Sequence, residues 1–228
     1  MYLWRSAIVA ALAMAAPLQA AITPLGQSRT VWAQVTGHTA GVPFEITDSY
    51  EATSFASMNR TVSAISPTTG HASASQNSFI TPSILVVFAA ASSQTINETD
   101  SYARGSARSF TQFDFSIDTP MTFSGNTSGS MTGDASDEFL LRIELFPLGS
   151  ATPIFSQYRT TPGAEPPFSM VLAPGSYRVE GELWSSADPL DPSGFNAGSI
   201  NFNIAPEPST AGLLAVLAAA ALARRRGG

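Results

Sequence analysis

Through the middle of this chain apolar side chains recur at every second position. Phe113, Phe115 and Ile117 alternate with Asp114, Ser116 and Asp118, and Phe139, Leu141, Ile143 and Leu145 alternate with Leu140, Arg142, Glu144 and Phe146. Tyr177, Val179, Gly181 and Leu183 likewise lie opposite Arg178, Glu180, Glu182 and Trp184. A period of two belongs to a strand with one face in a core. The stretch from Arg29 to Thr36 follows the same rule, with Val31 and Val35 on one face and Trp32 on the other, and Ser199 to Ile204 supplies a last strand. Phe168 to Leu172 runs into Ala173-Pro174-Gly175-Ser176, whose Pro-Gly pair suits a turn between two antiparallel strands. Further strands are expected within Ser49 to Ile65, Ser78 to Ala91, Ser101 to Ser109, Met121 to Gly125 and Pro153 to Tyr158.

Turn chemistry punctuates these segments at Ser66-Pro67-Thr68-Thr69-Gly70, from Gly125 to Gly133 and from Asp188 to Gly194, while Thr160 to Pro167 has the composition of a surface loop. Helical periodicity is scarce. The expected fold is therefore all-β, an antiparallel β-sandwich of jelly-roll-like type over residues 21–205. Ile84 to Ala91 is apolar at every position. Periodicity alone leaves it as a strand buried on both faces or as a short buried helix.

Composition narrows the function classes. The 228 residues include no Cys and 11 basic residues, all of them Arg, against 17 acidic ones, for a formal charge of −6. Ser and Thr together number 51, so hydroxyls supply much of the polarity that charge supplies elsewhere. A disulfide scaffold and a thiolate zinc module both need Cys, and a nucleic-acid binder needs a positive face. From Ile22 to Ala205 stand 16 acidic residues and seven Arg, about −9, so this part has no electrostatic attraction to nucleic acid or anionic lipid.

The remaining Arg residues mark the two ends. Arg5 precedes an apolar run from Ala7 to Ala16 and then Pro17-Leu18-Gln19-Ala20, the layout of a secretory signal peptide over residues 1–20 with cleavage expected after Ala20. At the other end Pro206-Glu207-Pro208 leads through Ser209 and Thr210 to an apolar run from Ala211 to Ala223 and then Arg224-Arg225-Arg226. Two prolines fix φ and withhold two backbone donors, which keeps the start of this segment extended. As a helix the apolar run would span about 20 Å, less than a hydrocarbon core of about 30 Å, so it can insert but anchors poorly. The Arg cluster would stay on the cytoplasmic side and stop translocation.

Residues 206–228 resemble the PEP-CTERM sorting signal of exported bacterial proteins, through Pro206, Glu207 and Pro208, the apolar run, and Arg224, Arg225 and Arg226. The one departure is that Gly227 and Gly228 follow the Arg cluster. The resemblance implies recognition by an exosortase, a membrane-embedded cysteine transpeptidase, with removal of the tail near Pro-Glu-Pro. It also implies transient anchorage through the short helix and a final place on the surface or in the polysaccharide matrix of a Gram-negative bacterium. An uncleaved membrane anchor is the plainer reading of the same residues.

No catalytic constellation is legible. His38 and His71 are the only histidines, both in small-residue surroundings, and Gly125-Asn126-Thr127-Ser128-Gly129 has Thr where a nucleophile elbow has Ser. Without Lys no phosphate-cradling Gly-Lys motif exists, and no cofactor is expected. Asp134, Asp137 and Glu138, with Asp188 and Asp191, put carboxylates in loop segments without matching a calcium loop, and no metal site is assigned. Trp32, Trp184, Tyr50, Tyr102, Tyr158 and Tyr177 could stack on sugar rings, with Trp32 and Trp184 the candidates of choice; on strand patterns such aromatics more often serve the core. Asn59, Asn97 and Asn126 start glycosylation sequons that a Ser/Thr-rich chain produces readily by chance. The expectation is a non-enzymatic exported protein with a structural or interaction role beside extracellular polysaccharide, the alternative being a carbohydrate-binding module displayed at the cell surface.

Overall fold

The computed structural model describes residues 21–66, 70–95, 101–132, 138–161, 163–187 and 195–206; the expected signal peptide, Glu207, Pro208, the apolar run and Arg224 to Arg226 lie outside them. Twelve strands follow one another: β1 (Ile22–Thr39), β2 (Val42–Ala52), β3 (Met58–Ile65), β4 (Gly70–Ile80), β5 (Leu85–Thr95), β6 (Ser101–Ile117), β7 (Met121–Thr132), β8 (Glu138–Pro147), β9 (Phe155–Arg159), β10 (Phe168–Leu172), β11 (Gly175–Ala187) and β12 (Phe195–Pro206). They form two antiparallel six-stranded sheets, the first in the order β2-β1-β6-β11-β8-β9 and the second β10-β7-β12-β5-β4-β3. The protein is a β-sandwich, as the alternation predicts.

The period-two pattern sorts the side chains as expected. Val31, Ala33 and Val35 of β1, Phe113, Phe115 and Ile117 of β6, Leu141, Ile143 and Leu145 of β8, and Val179 and Leu183 of β11 are buried between the sheets. From the second sheet Leu85, Val87, Phe123, Ile200, Phe202 and Ile204 face them. The two open edges are closed differently. Between β2 and β3 the Arg60 guanidinium lies 4.6 Å from the Tyr50 ring centroid, and the Ser63 amide donates to Asp48 Oδ2 at 3.2 Å. Between β9 and β10, Phe155 and Phe168 pack at 4.4 Å and both meet Phe123.

Connections are where the structure departs from the sequence pattern. Ser49 to Ile65 is two strands in different sheets, because residues 53–57 carry the chain from β2 across to β3. Arg29, 1% exposed, secures this crossing: Nη2 donates to Ser54 O and Ala56 O at 2.5 and 2.8 Å, Nη1 to Ser78 Oγ and O at 3.0 and 3.4 Å, and Nε to Gln27 Oε1 at 2.6 Å. All five guanidinium donors are thereby used, which lets a cation without a carboxylate partner among the described residues sit beside Phe113 in the interior. Burial lowers its pKa from the ordinary arginine value.

Ser78 to Ala91 also divides, at residues 81–84, into the end of β4 and β5. Ile84 to Ala91 is neither a helix nor a strand buried on both faces: Leu85, Val87, Ala89 and Ala91 point inward, and Phe88 is 44% exposed on the outside. Gly125 to Gly133 is not a turn, since β7 continues to Thr132 between β10 and β12. A Cβ on Gly125 would meet Asn201 O and the Phe168 ring, so this glycine serves close packing inside the sheet. The Pro174-Gly175 pair does not join a hairpin either; β10 pairs with β7 in the second sheet, β11 with β6 and β8 in the first, and the pair changes sheets. Unforeseen was a two-residue hairpin at Ala40 and Gly41, both at positive φ (50° and 77°), the backbone signs of a type I′ turn.

The register also fixes where the chain enters and leaves. Ile22 lies opposite Ile117, the Ala21 amide donates to Asp118 Oδ1 at 2.9 Å, and Pro206 lies opposite Met121, just beyond the same corner. Both ends of the described body therefore stand at one pole of the sandwich.

Candidate functional site

The outer face of the first sheet carries the aromatic residues that the sequence singles out. Register sets Trp32 of β1 opposite Arg108 of β6, and Arg108 opposite Trp184 of β11. Strands one apart are about 9.6 Å distant, so two indoles can reach one another only by leaning across the strand between. They do, with ring centroids 5.6 Å apart and planes 12° from parallel. Each indole thus spends one face on the other. Trp32 has Ser49 of β2 on its far side, and a groove of about 460 Å³ opens there, bordered by Thr30, Trp32, Ser49, Glu51, Arg108 and Trp184.

The charges around this groove are tied down. Arg108 bonds Glu182 through Nε at 2.8 Å and Nη2 at 2.5 Å, and Arg142 Nη2 holds the other oxygen of Glu182 at 2.8 Å. Arg104 pairs with Glu138 at 3.2 Å and bonds Ser186 Oγ at 2.9 Å. Arg178 grips Asp114 with two bonds of 2.7 and 2.9 Å, which raises the arginine pKa above its ordinary value. Each arginine of this face therefore has a carboxylate, whereas Glu45 and Glu51 have no arginine partner among the described residues. Glu45 instead accepts from Gln34 Nε2 at 2.7 Å.

The other sequence candidates are distributed elsewhere. His38 stacks on Tyr102, centroids 5.0 Å apart and planes 28° from parallel, beside a second groove of about 530 Å³ that Thr36, Pro43, Phe44, Glu45 and Arg104 complete. His71 lies on β4 in the second sheet, so the two histidines share no site. Tyr177 belongs to the core, packed at 5.9 Å from Phe115 with its hydroxyl donating to Ala173 O at 2.7 Å. Tyr158 stands 59% exposed on β9, and Tyr50 carries Arg60 at the sandwich edge. Asn59 and Asn126 are exposed. Pro206 is the last residue of β12 and is exposed. Asn97, Asp134, Asp137, Asp188 and Asp191 lie outside the described residues. Among the described residues no group of three His, Cys, Asp or Glu side chains is placed to hold a metal, and no helix is long and apolar enough to cross a membrane.

Sequence reasoning missed Arg108, Ser49 and Glu51 as neighbours of the tryptophans, and missed the His38 and Tyr102 pair. Both omissions have one cause: cross-strand register decides them, and nothing local in the sequence specifies which strand lies beside β1. No protein-family model, curated protein or solved structure matches the chain.

Proposed function

We propose that this chain is an exported bacterial protein sorted through a PEP-CTERM signal, which an exosortase recognises and cleaves, and that its β-sandwich takes a structural or interaction role beside extracellular polysaccharide. The observation that carries this reading is the ordered tail of Pro206, Glu207 and Pro208, an apolar run and Arg224 to Arg226, in a chain whose first 20 residues have the layout of a signal peptide. The fold is compatible with it in one specific way. Both ends of the described body stand at one pole, so a membrane-held tail would present the opposite pole and both outer sheet faces away from the bilayer.

Intact-mass measurement of the protein from its own cell tests the proposal. The expected species lacks the signal peptide and has lost the tail near Pro206; a species that keeps Arg224 to Arg226 overturns processing and leaves a plain anchor. Glu207→Ala should hold the unprocessed form in the membrane, and unchanged processing would remove Pro-Glu-Pro from the signal.

A second reading, a carbohydrate-binding module, is favoured by one observation: Trp32 and Trp184 come together beside a groove edged with Ser49, Thr30 and Glu51. Aromatic rings stack on the apolar faces of pyranoses while hydroxyls and carboxylates bond their edges. Saturable retardation of the chain in gels cast with polysaccharide, lost in Trp184→Ala, is the outcome this reading requires.

A further inference from the structure

We infer that the outer face of the first sheet holds one extended strand of a neutral polysaccharide, laid along β1 between two aromatic stations. The inference rests on the carbohydrate-binding reading and is independent of the sorting proposal.

The first station is the Trp32 and Trp184 pair, the second the His38 and Tyr102 pair. Trp32 and His38 project from the same face, because they are an even number of residues apart and the only register irregularity between β1 and β6 lies near Pro24 and Gly26. Six residues at about 3.4 Å each put the stations roughly 20 Å apart along the strand. That is too far for one sugar ring to bridge and within reach of an oligomer. Between them the face presents Gln34 and Thr36 of β1, with Thr47 beside Gln34 on β2. These are amide and hydroxyl groups, fit to bond sugar hydroxyls.

Charge selects the class of polymer. Arg108 and Arg104, the cations at the two stations, are already bonded to Glu182 and Glu138, whereas Glu51 and Glu45 have no arginine partner among the described residues. Among the described residues of the track a polyanion would meet two carboxylates without an arginine partner and no unpaired arginine. A neutral chain offers its hydroxyls to those same carboxylates in charge-assisted hydrogen bonds. The track is thus complementary to a neutral glycan and repels a uronate polymer.

The test is affinity electrophoresis of the full chain in gels containing neutral glucan, galactan, mannan or xylan, with alginate as the polyanion. At least one neutral polymer should retard the chain and alginate should not. Trp184→Ala should abolish retardation, and Glu51→Gln, which disturbs no packed side chain, should weaken it. Tyr102→Ala should weaken binding to the polymer roughly tenfold, because one of two linked contacts is lost, while leaving binding of the corresponding disaccharide unchanged. An effect of Trp184→Ala together with none of Tyr102→Ala overturns the two-station track and leaves the carbohydrate reading standing. Retardation by none of the neutral polymers overturns both, as does a preference for alginate. A chain that self-associates through this face, with loss of association in Trp184→Ala or Glu51→Gln, would identify a protein interface instead and overturn the inference.

Discussion

Near the pole where the chain enters and leaves, the space between the sheets is filled by rings: Phe113, Phe115, Phe123 and Phe202, all at 0% exposure, with Tyr177, Phe155 and Phe168 around them. Toward the other pole the same space is closed by Ala33, Ala72, Ala74, Ala89, Ala91, Ala103 and Ala107, with glycine at 37, 70 and 105. Single strands run through both regimes. β6 passes inward from Ile117, Phe115 and Phe113 through Thr111 and Ser109 to Ala107, Gly105 and Ala103. One end therefore gains its stability from apolar area, and the other from close approach of two backbones, with less area to bury. The two are vulnerable to opposite errors: loss of volume at the aromatic end, gain of volume at the small-residue end. Between them lies a polar belt of Arg29, Gln76, Ser78, Ser109 and Thr111, in which Arg29 Nη1 and Gln76 Nε2 donate to Ser78 Oγ while the Ser109 and Thr111 hydroxyls are buried with no hydrogen-bond partner among the described residues.

Mutations that break this comparison rank by how much each region can yield. Phe123 touches Phe155, Phe168 and Phe202, and Phe123→Ala should cost about 4 kcal/mol in urea denaturation followed by tryptophan fluorescence. A loss under about 1 kcal/mol would mean that the rings do not form one packed unit. Arg29→Met keeps volume and removes the donors from Ser54 O, Ala56 O and Ser78 O, so a loss of about 3 kcal/mol is expected by the same assay. A neutral outcome there would detach the guanidinium from the β2 to β3 crossing.

At the small-residue end the sign of the volume change reverses. A Cβ on Gly105 would stand 2.7 Å from His71 O and 3.1 Å from Gln94 O, backbone atoms of the facing sheet that cannot swing aside. Gly105→Ala should therefore destabilise by about 2 kcal/mol, although the same change in an unstrained strand stabilises. The smallest effect is expected at Ser93, whose hydroxyl bonds Ser185 Oγ at 2.7 Å while Ser185 donates to Asn196 O at 2.8 Å. Ser93→Ala removes one buried hydrogen bond and should cost about 1 kcal/mol. Hydrogen exchange sharpens the contrast without mutation: amides of β6 near Ala103 and Ala107 should exchange faster than those near Phe113 and Phe115, and equal protection would erase the difference between the ends.

Much of this was legible along the chain, and the illegible part has a pattern. Alternation located Phe113 to Ile117, Phe139 to Leu145 and Tyr177 to Leu183 on their strands with the correct faces inward, because a half-buried strand writes its two environments into every second residue. It failed where composition carries a tertiary reason. Gly125 and Gly129 gave β7 the look of a turn, yet a Cβ at 125 would strike Asn201 O and one at 129 the ring of Phe139. Between β2 and β3 the chain changes sheets through Thr53-Ser54-Phe55-Ala56-Ser57, a segment with neither Gly nor Pro, because Arg29 from β1 accepts the role that turn residues serve elsewhere. For the candidate site, the sequence named Trp32 and Trp184 but could not pair them.

By itself the sequence determined the fold class, the inward face of most strands, the acidic and cysteine-free body, and the two end segments that suggest export and sorting. These are properties of composition and local period, which a linear chain carries in full. Only the tertiary structure decided which strands are neighbours, that both ends of the body share a pole, and that two tryptophans some 150 positions apart in the chain stack across Arg108. Strand order costs little local signal to change, since one amphipathic strand resembles another; it is settled by which combination of rings, alanines and glycines fills the space between two sheets without void or overlap.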